Sequence, residues 1–284
     1  MNITENIILA PYTVFNIGGP ADFFCEVKNK EELVEVLDWA RGNKSPFFIM
    51  GAGSNLLVSD EGFRGLAIKM NSQKIDLLGE NKIFAAAGVS MARVVNFAIE
   101  KDLGGFEWGV GIPGTIGGSV FGNAGCFGGE MKDVVESVSI LEREIFELPN
   151  HACEFAYRHS IFKRHPEWII LGATFKFFPG DKEESHAKVL EYTKKRTASQ
   201  DIGEKCAGCI FKNPKPDLAA GYLIDKAGLK GAKIGGAMVS GKHADYIVNT
   251  GGATARDVKE LIRVIKDEVK KVNGILMEEE IRII

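Results

Sequence analysis

The sequence predicts an α+β fold assembled from a few packed units, and three observations carry that reading. Strand and helix signals are intermixed without the strict β-α-β alternation of a doubly wound sheet. At 284 residues with 45% hydrophobic content the chain is long enough for more than one core. It contains no internal repeat and no low-complexity linker that would point to a solenoid or a string of beads.

Taken in order, residues 23–27 read as a short strand after a turn region containing Asn16-Ile-Gly-Gly-Pro20. Residues 31–41 read as a helix, because Leu33, Val36, Leu37 and Ala40 fall at i, i+3, i+4 and i+7. Residues 47–50 form an apolar strand that runs into the glycine-rich stretch Gly51-Ala-Gly-Ser-Asn-Leu-Leu-Val58, and 66–70 form another strand. Residues 82–89 are strand-like, and Ser90 is placed to cap a helix over 91–101 with Val94, Val95, Ala98 and Ile99 inward. A second glycine-rich stretch, Gly111-Ile-Pro-Gly-Thr-Ile-Gly-Gly118, leads to Asn123-Ala-Gly125. Strands follow at 134–141 and 168–178. Residues 217–227 make a short helix stopped by Gly228. Residues 255–271 read as the last helix, with Val258, Leu261, Ile262, Ile265, Val269 and Val272 as a full apolar stripe. The stretch 277–284 is a final strand candidate.

A net charge of −3 and a pI near 6.0 argue against nucleic acid or an anionic membrane as partner. No apolar run approaches the ~18–20 residues of a membrane span, and the opening residues lack a signal-peptide pattern. A cytoplasmic location is therefore expected. The five cysteines, Cys25, Cys126, Cys153, Cys206 and Cys209, are an odd number in a large chain, which disfavours a disulfide framework. Cys206-Ala-Gly-Cys209 has the spacing of half a zinc site or a redox pair. No second close pair or histidine ligand set accompanies it, so no metal is expected, and a buried thiol is the plain alternative.

The two glycine-rich stretches lie about sixty positions apart, and backbone without Cβ atoms can press its N–H groups against an anion. Two such loops suggest a long ligand with two phosphates, a dinucleotide. Gly109-Val-Gly-Ile-Pro-Gly114 matches a Rossmann fingerprint by letter only. The preceding 103–108 stretch is not a buried strand, and Pro113 removes one donor.

These segments, with Phe15-Asn-Ile-Gly-Gly-Pro-Ala-Asp22, Tyr157-Arg-His-Ser-Ile-Phe-Lys163, Gly208-Cys-Ile-Phe-Lys-Asn-Pro214, Gly228-Leu-Lys-Gly231, Val239-Ser-Gly-Lys-His-Ala244 and Glu280-Ile-Arg282, appear in one order over nearly the whole chain. The ordered set resembles the UDP-N-acetylenolpyruvoylglucosamine reductases, flavoenzymes that make UDP-N-acetylmuramate for peptidoglycan. The resemblance implies a two-subdomain FAD-binding fold of the vanillyl-alcohol-oxidase type plus a smaller α+β substrate-binding domain. Residues 1–70 and 71–196 would clasp FAD and 197–274 would bind substrate, with 275–284 returning near the active site. It assigns FAD contacts to Gly51, Ala52, Gly53, Ser54, Asn55, Leu56, Gly111, Ile112, Pro113, Thr115, Gly117, Gly118, Asn123 and Gly125, with Arg196 as an added cation. It assigns the nucleotide-sugar substrate to Tyr157, Lys212, Asn213 and His243, and the reductant is NADPH.

The same resemblance gives Arg158 the enolpyruvyl carboxylate, which a guanidinium fork can hold bidentately. Glu280 would stabilise the enol form, and Cys209 would protonate C2. Most relatives carry serine at that last position. A thiol, with an ordinary pKa near 8.5, is protonated at neutral pH and is the stronger acid. The stretch between Phe178 and Arg196 is short, as in the family's type II form, so the residue that covers the diphosphate is not assigned. A monomer or weak oligomer is expected. Two rival readings are a flavin oxidoreductase of the same fold with another substrate and a non-catalytic nucleotide-sugar binder, which would purify colourless. The Tyr157-Arg158 and 208–214 segments, outside the flavin loops, disfavour the first rival.

Overall fold

The computed structural model of the chain describes residues 2–284. The backbone divides into two compact units, and the chain passes between them inside the strands Pro20–Val27 and Phe63–Met70, after Ala52 and after Arg196.

The first unit comprises Cys25–Ala52 and Ile68–Arg196. Its helix α1, Lys30–Gly42, buries Leu33, Val36, Leu37 and Ala40, and the Asn29 side chain caps it by accepting the Glu32 N–H at 2.9 Å. The main sheet is antiparallel, in the order Ile145–Pro149, Val135–Leu141, Ile169–Lys176, Lys82–Ala86 and Ile75–Leu78. Gly172 sits opposite Ala86, where a Cβ would fall 2.7 Å from the Ala85 carbonyl oxygen. Helix α2, Met91–Glu100, begins at Ser90 as the sequence predicts, and buries Val94, Val95, Ala98 and Ile99. Helix α3, Ile116–Gly122, grows out of the second glycine loop and packs on the Ile169–Lys176 strand. Helix α4, Met131–Val134, is a single turn.

Helix α5, Lys182–Ser199, has no counterpart in the sequence reading. It buries only Ser185 and Arg196, so it lacks the apolar stripe by which a helix is recognised. Polar contacts support it instead: Asp181 accepts the Glu184 N–H at 2.9 Å, Glu191 pairs with Lys195 at 2.6 Å, and Ser185 donates to the distant Glu107 at 2.8 Å.

The second unit comprises Ile3–Phe24, Gly53–Ala67 and Thr197–Ile284. Thr4–Ile8 pairs antiparallel with the first half of Pro20–Val27, Thr4 facing Phe24. A second antiparallel sheet runs Cys206–Cys209, Tyr246–Asn249, Ala237–Val239, Lys233–Ile234. Helix α6, Ala220–Lys226, and helix α7, Ala255–Asn273, supply Leu223, Ile224, Val258, Leu261, Ile265 and Val269 to one core with Phe15, Ile17, Leu57, Ile210 and Phe211. Full burial of each large side chain contributes roughly 1.5–3 kcal/mol. Helix α7 starts with a reciprocal Thr254–Asp257 capping box and ends at Gly274 in a left-handed conformation. Asp60 accepts the N–H groups of Ala255 and Arg256 at 2.7 and 3.0 Å, where a carboxylate meets the positive end of the helix.

The C-terminal strand expected over 277–284 is reduced to Arg282–Ile283, parallel to Leu56–Leu57. Residues 278–280 instead lie against 210–212 as an isolated bridge, Phe211 facing Glu279. Asn249 ties this unit together. Its Nδ2 donates to the carbonyls of Phe15 and Asn16 at 3.1 and 3.3 Å, and its Oδ1 accepts from Gly251 and Ala253 at 3.0 and 3.1 Å. Because Asn249 is buried, Asn249→Ala strands these groups and is expected to destabilise the protein by about 3 kcal/mol. Denaturant unfolding checks it as a lowered midpoint with an unchanged slope.

Candidate active site

In the first unit the two glycine stretches meet. A Cβ on Gly51 would lie 2.2 Å from the Thr115 hydroxyl oxygen, so glycine is what lets the loops approach. Thr115 is buried and precedes α3. The first helical donors serve the fold: Ile116 N–H bonds Val89 at 2.8 Å and Gly117 N–H bonds Ala87 at 2.9 Å. Gly111, at φ 70°, packs against the arginine stem, and a Cβ there would be 2.9 Å from Arg196 Cδ. Arg196 is buried, with its guanidinium carbon 5.4 Å from the Phe127 ring centroid, and Phe127 stacks on Tyr192 at 4.6 Å. Gly111, Pro113 and Gly118 are exposed, while Ile112 is half-buried. A buried guanidinium beside an exposed glycine backbone is the donor set a phosphate anion takes.

Ala52 ends the first unit and Gly53 opens a stretch of the second. Gly53, at φ 66°, approaches the Tyr12 carbonyl so closely that a Cβ would fall 2.3 Å from its oxygen. Ser54 is half-buried and Leu56 is buried. Asn55 bonds the C-terminal segment, its Nδ2 donating to the Glu280 carbonyl at 3.2 Å and its own carbonyl accepting the Arg282 N–H at 3.0 Å.

Asn123, at φ 45°, ends α3 in a left-handed conformation. Its fully buried side chain is committed within the protein. Nδ2 donates to Glu130 at 2.8 Å and to the Ala156 carbonyl at 2.9 Å, and Oδ1 accepts from Lys132 N–H at 3.0 Å. Gly125 pairs with Glu130 in a two-residue strand. The Ala156 bond positions a tight turn closed by reciprocal Ala156–His159 main-chain bonds of 3.1 and 3.0 Å. The buried Ser160 hydroxyl anchors the other side of the turn on the Phe121 carbonyl at 2.6 Å.

Tyr157 and Arg158 form the tip of that turn. Arg158 has φ 52°, a conformation that costs a residue with a Cβ about 1 kcal/mol. Its guanidinium carbon lies 5.1 Å from the Tyr157 ring centroid, and its own carbonyl accepts from Lys163 Nζ at 2.8 Å. A long cationic side chain kept where glycine would be relaxed marks a position held for something other than stability.

In the second unit the segments that carry Cys209 and Glu280 are bonded to each other. Cys206 faces Val248 and Cys209 faces Tyr246. Three chain steps therefore span two partner steps, a bulge made at Gly208 with φ 74°. Both cysteines consequently pack with Tyr246, Val248 and Met238. Glu280 N–H donates to the Ile210 carbonyl at 2.7 Å, beside Cys209. The adjoining Glu278 and Glu279 are paired with Lys212 and Lys266.

The residue that sequence reasoning misses is Asp245. It is 2% exposed, its Oδ1 accepts the Phe211 N–H at 3.0 Å, and its carboxyl shares a hydrogen bond with the Cys209 side chain. Burial pushes that carboxyl well above the usual range, and the negative charge of Glu280 adds to the push. The one available signal was an aspartate directly before the apolar run of Tyr246–Asn249, a strand the sequence reading does not identify.

The remaining expected contacts also hold structural posts. Lys212 N–H donates to the Glu278 carbonyl at 2.9 Å, and Asn213 Oδ1 accepts from Ala220 N–H at the start of α6 at 3.0 Å. His243 stacks near Tyr246 at 4.5 Å. Desolvation lowers its pKa, and its buried Nδ1 has no hydrogen-bond partner among the described residues. Among the other thiols, burial pushes Cys25 and Cys153 up to about 12 and raises Cys206, which makes them poor nucleophiles. No group of three or more acidic, histidine or cysteine side chains among the described residues could hold a metal ion. No helix among them is long and apolar enough to cross a membrane.

Comparison with known proteins finds two family models and many relatives that match the chain. Residues 21–144 match a family model described as an FAD binding domain. Residues 200–284 match one described as the C-terminal domain of UDP-N-acetylenolpyruvoylglucosamine reductase. A protein of that name from Caldanaerobacter subterraneus subsp. tengcongensis is 44% identical, over 96% of this chain and 90% of its own length. One from Chlamydia felis is 41% identical over 100% and 95%. The crystal structure of the Thermus caldophilus reductase superposes with a TM-score of 0.85 at 35% identity, covering 100% of this chain and 99% of that one.

The Arg158 turn generates a stability prediction. Arg158→Gly relieves the left-handed backbone and is expected to stabilise the protein by about 1 kcal/mol, raising Tm by about 2 °C. A thermal melt that moves down would contradict the strain.

Proposed function

The chain belongs to the UDP-N-acetylenolpyruvoylglucosamine reductase family, and on that premise we propose that it reduces the enolpyruvyl group of UDP-N-acetylglucosamine enolpyruvate to the lactyl ether of UDP-N-acetylmuramate, with NADPH as reductant. The observation that supports this reading is that the segments carrying Cys209 and Glu280 are bonded to each other in the second unit, Glu280 N–H donating to the carbonyl of Ile210, the residue after Cys209, at 2.7 Å. A half-buried thiol and a half-buried carboxyl on adjoining segments can serve as a proton donor and a hydrogen-bonding partner for an enol.

The residues present fit FAD. Gly51, Gly111 and Gly118 offer backbone without Cβ atoms, and the buried Arg196 beside Gly111 offers a positive charge to the pyrophosphate. The same family reading assigns FAD contacts to Ala52, Ile112, Pro113, Thr115 and Gly117 of the first unit and to Gly53, Ser54, Asn55 and Leu56 of the second. Asn123 and Gly125 would act by fixing the loop that carries them. When bound, FAD supplies the two-electron transfer between NADPH and the enolpyruvyl C3.

The protein's own work is electrostatic and protolytic. Arg158 holds the enolpyruvyl carboxylate with a planar pair of donors, which matters more as negative charge grows into that carboxylate. Cys209 delivers the proton to C2, and Glu280, when protonated, donates to the enol oxygen. Tyr157, Lys212 and Asn213 bind the sugar and diphosphate. His243, kept neutral by burial, offers one donor and one acceptor to the uridine end. The domain assignment follows the same reading: 1–70 and 71–196 for FAD, 197–274 for substrate, and 275–284 bringing Glu280 to the site. A cytoplasmic monomer or weak oligomer, where the nucleotide-sugar pool is accessible, completes the proposal.

Cys209→Ala is expected to keep NADPH-dependent bleaching of the flavin and to lose turnover with the enolpyruvyl substrate by ~10²–10⁴-fold. Anaerobic flavin reduction followed by addition of the enolpyruvyl nucleotide separates the two halves. Cys209→Ser should retain appreciable turnover and lose its sensitivity to thiol reagents. Full turnover in the alanine variant would remove Cys209 from the mechanism.

A further inference from the structure

Cys209 needs its proton replaced after every turnover, and its half-buried side chain hydrogen-bonds a carboxyl. Asp245 lies within the chain turn that ends in Tyr246, the strand residue facing Cys209. Three contacts fix it. The Ile210 N–H bonds its main-chain carbonyl at 2.9 Å, the Phe211 N–H bonds Oδ1 at 3.0 Å, and the Cys209 side chain hydrogen-bonds its carboxyl. The charge that acts on this carboxyl is that of Glu280, of the same sign, from the C-terminal segment. Of the cations around these segments, Lys212 pairs with Glu278, Lys266 pairs with Glu279 and Lys242 donates to the Thr197 carbonyl, while Arg282, two residues beyond Glu280, is desolvated. A carboxyl at 2% exposure, beside an acidic neighbour, is a proton holder rather than a standing anion.

We propose that Asp245 is the proton reserve and positioning residue for Cys209: its carboxyl fixes the thiol and passes a proton to the sulfur once the thiol proton has been given away. The inference rests on the reading of Cys209 as proton donor and extends it. In the resting pair the carboxyl and the thiol each carry a proton. When Cys209 gives its proton to carbon, the carboxyl O–H beside the sulfur transfers its own, leaving a neutral thiol and a carboxylate that solvent water later reprotonates. A single shared negative charge is tolerated, whereas two adjacent charges are not. The thiolate is therefore suppressed at alkaline pH for as long as the carboxylate is there.

The test reads the sulfur directly. Full-length, FAD-loaded protein is alkylated with iodoacetamide across pH 6–10, and the Cys209 peptide is quantified by mass spectrometry. Asp245→Asn keeps an acceptor for Phe211 N–H but cannot ionise. Cys209 in this variant is expected to alkylate at least ~10-fold faster than in the wild type near pH 9. The wild-type midpoint should lie at least ~1 unit above the ordinary thiol value of about 8.5. Turnover of Asp245→Asn should fall at least ~10-fold while NADPH still bleaches the flavin at the wild-type rate. Superimposable alkylation profiles, a wild-type midpoint at or below the ordinary value, or undiminished turnover in the variant would each overturn the proposal. The wild-type midpoint needs no variant to fold. Full turnover by Cys209→Ala would instead sink the proton-donor reading, while the alkylation comparison would still report whether Asp245 governs the thiol.

Discussion

Three buried or half-buried residues, Ile210, Phe211 and Lys212, must find partners for their main-chain groups, and the way they do so organises the catalytic half of the second unit. Ile210 and Phe211 donate to Asp245, Ile210 accepts from Glu280, and Lys212 donates to Glu278. A buried N–H or carbonyl without a partner costs as much as a lost hydrogen bond, so the segment is pinned between two pieces of chain far from it in sequence. Cys209 stands at its head, and the bulge at Gly208 turns that side chain toward the same face as Tyr246. The placement of the thiol, Glu280 and Asp245 thus follows from main-chain satisfaction before any chemistry is considered.

The first unit reaches its functional geometry by a different route. Its glycine loops approach because Gly51 and Gly111 leave room for Thr115 and Arg196, and its arginine turn is held by Asn123 and Ser160 against the local preference of Arg158. Stability is conceded in the backbone of Arg158, and the anchoring bonds on either side keep the conformation in place. Asn123 acts through the loop it fixes, since its side chain is fully buried and both of its donors are used within the protein.

Burial divides the cysteines by role more sharply than spacing does. Cys25 and Cys153 are locked as thiols by desolvation, and Cys206 lies in the same small cluster as Cys209 yet is the more buried of the two. The Cys-x-x-Cys spacing, suggestive on its face, is instead the signature of a bulged strand, in which the second sulfur bonds the Asp245 carboxyl.

The sequence by itself determined the elements that carry an apolar period: α1, α2 and α7 begin and end within a residue or two of where Leu33, Ser90 and Val258 place them. It also determined the family, because ordered motifs survive where single motifs mean little. It could not reveal α5, whose support is polar rather than an apolar stripe, or the strand Tyr246–Asn249, whose four residues are buried on both faces and show no alternation. Nor could it reveal Asp245, since an aspartate is ordinary until its surroundings are known. The meeting of Asp245 with Cys209 was decided by tertiary structure alone: strand pairing brought together residues 36 positions apart, and exclusion of water made a common side chain into an unusual acid.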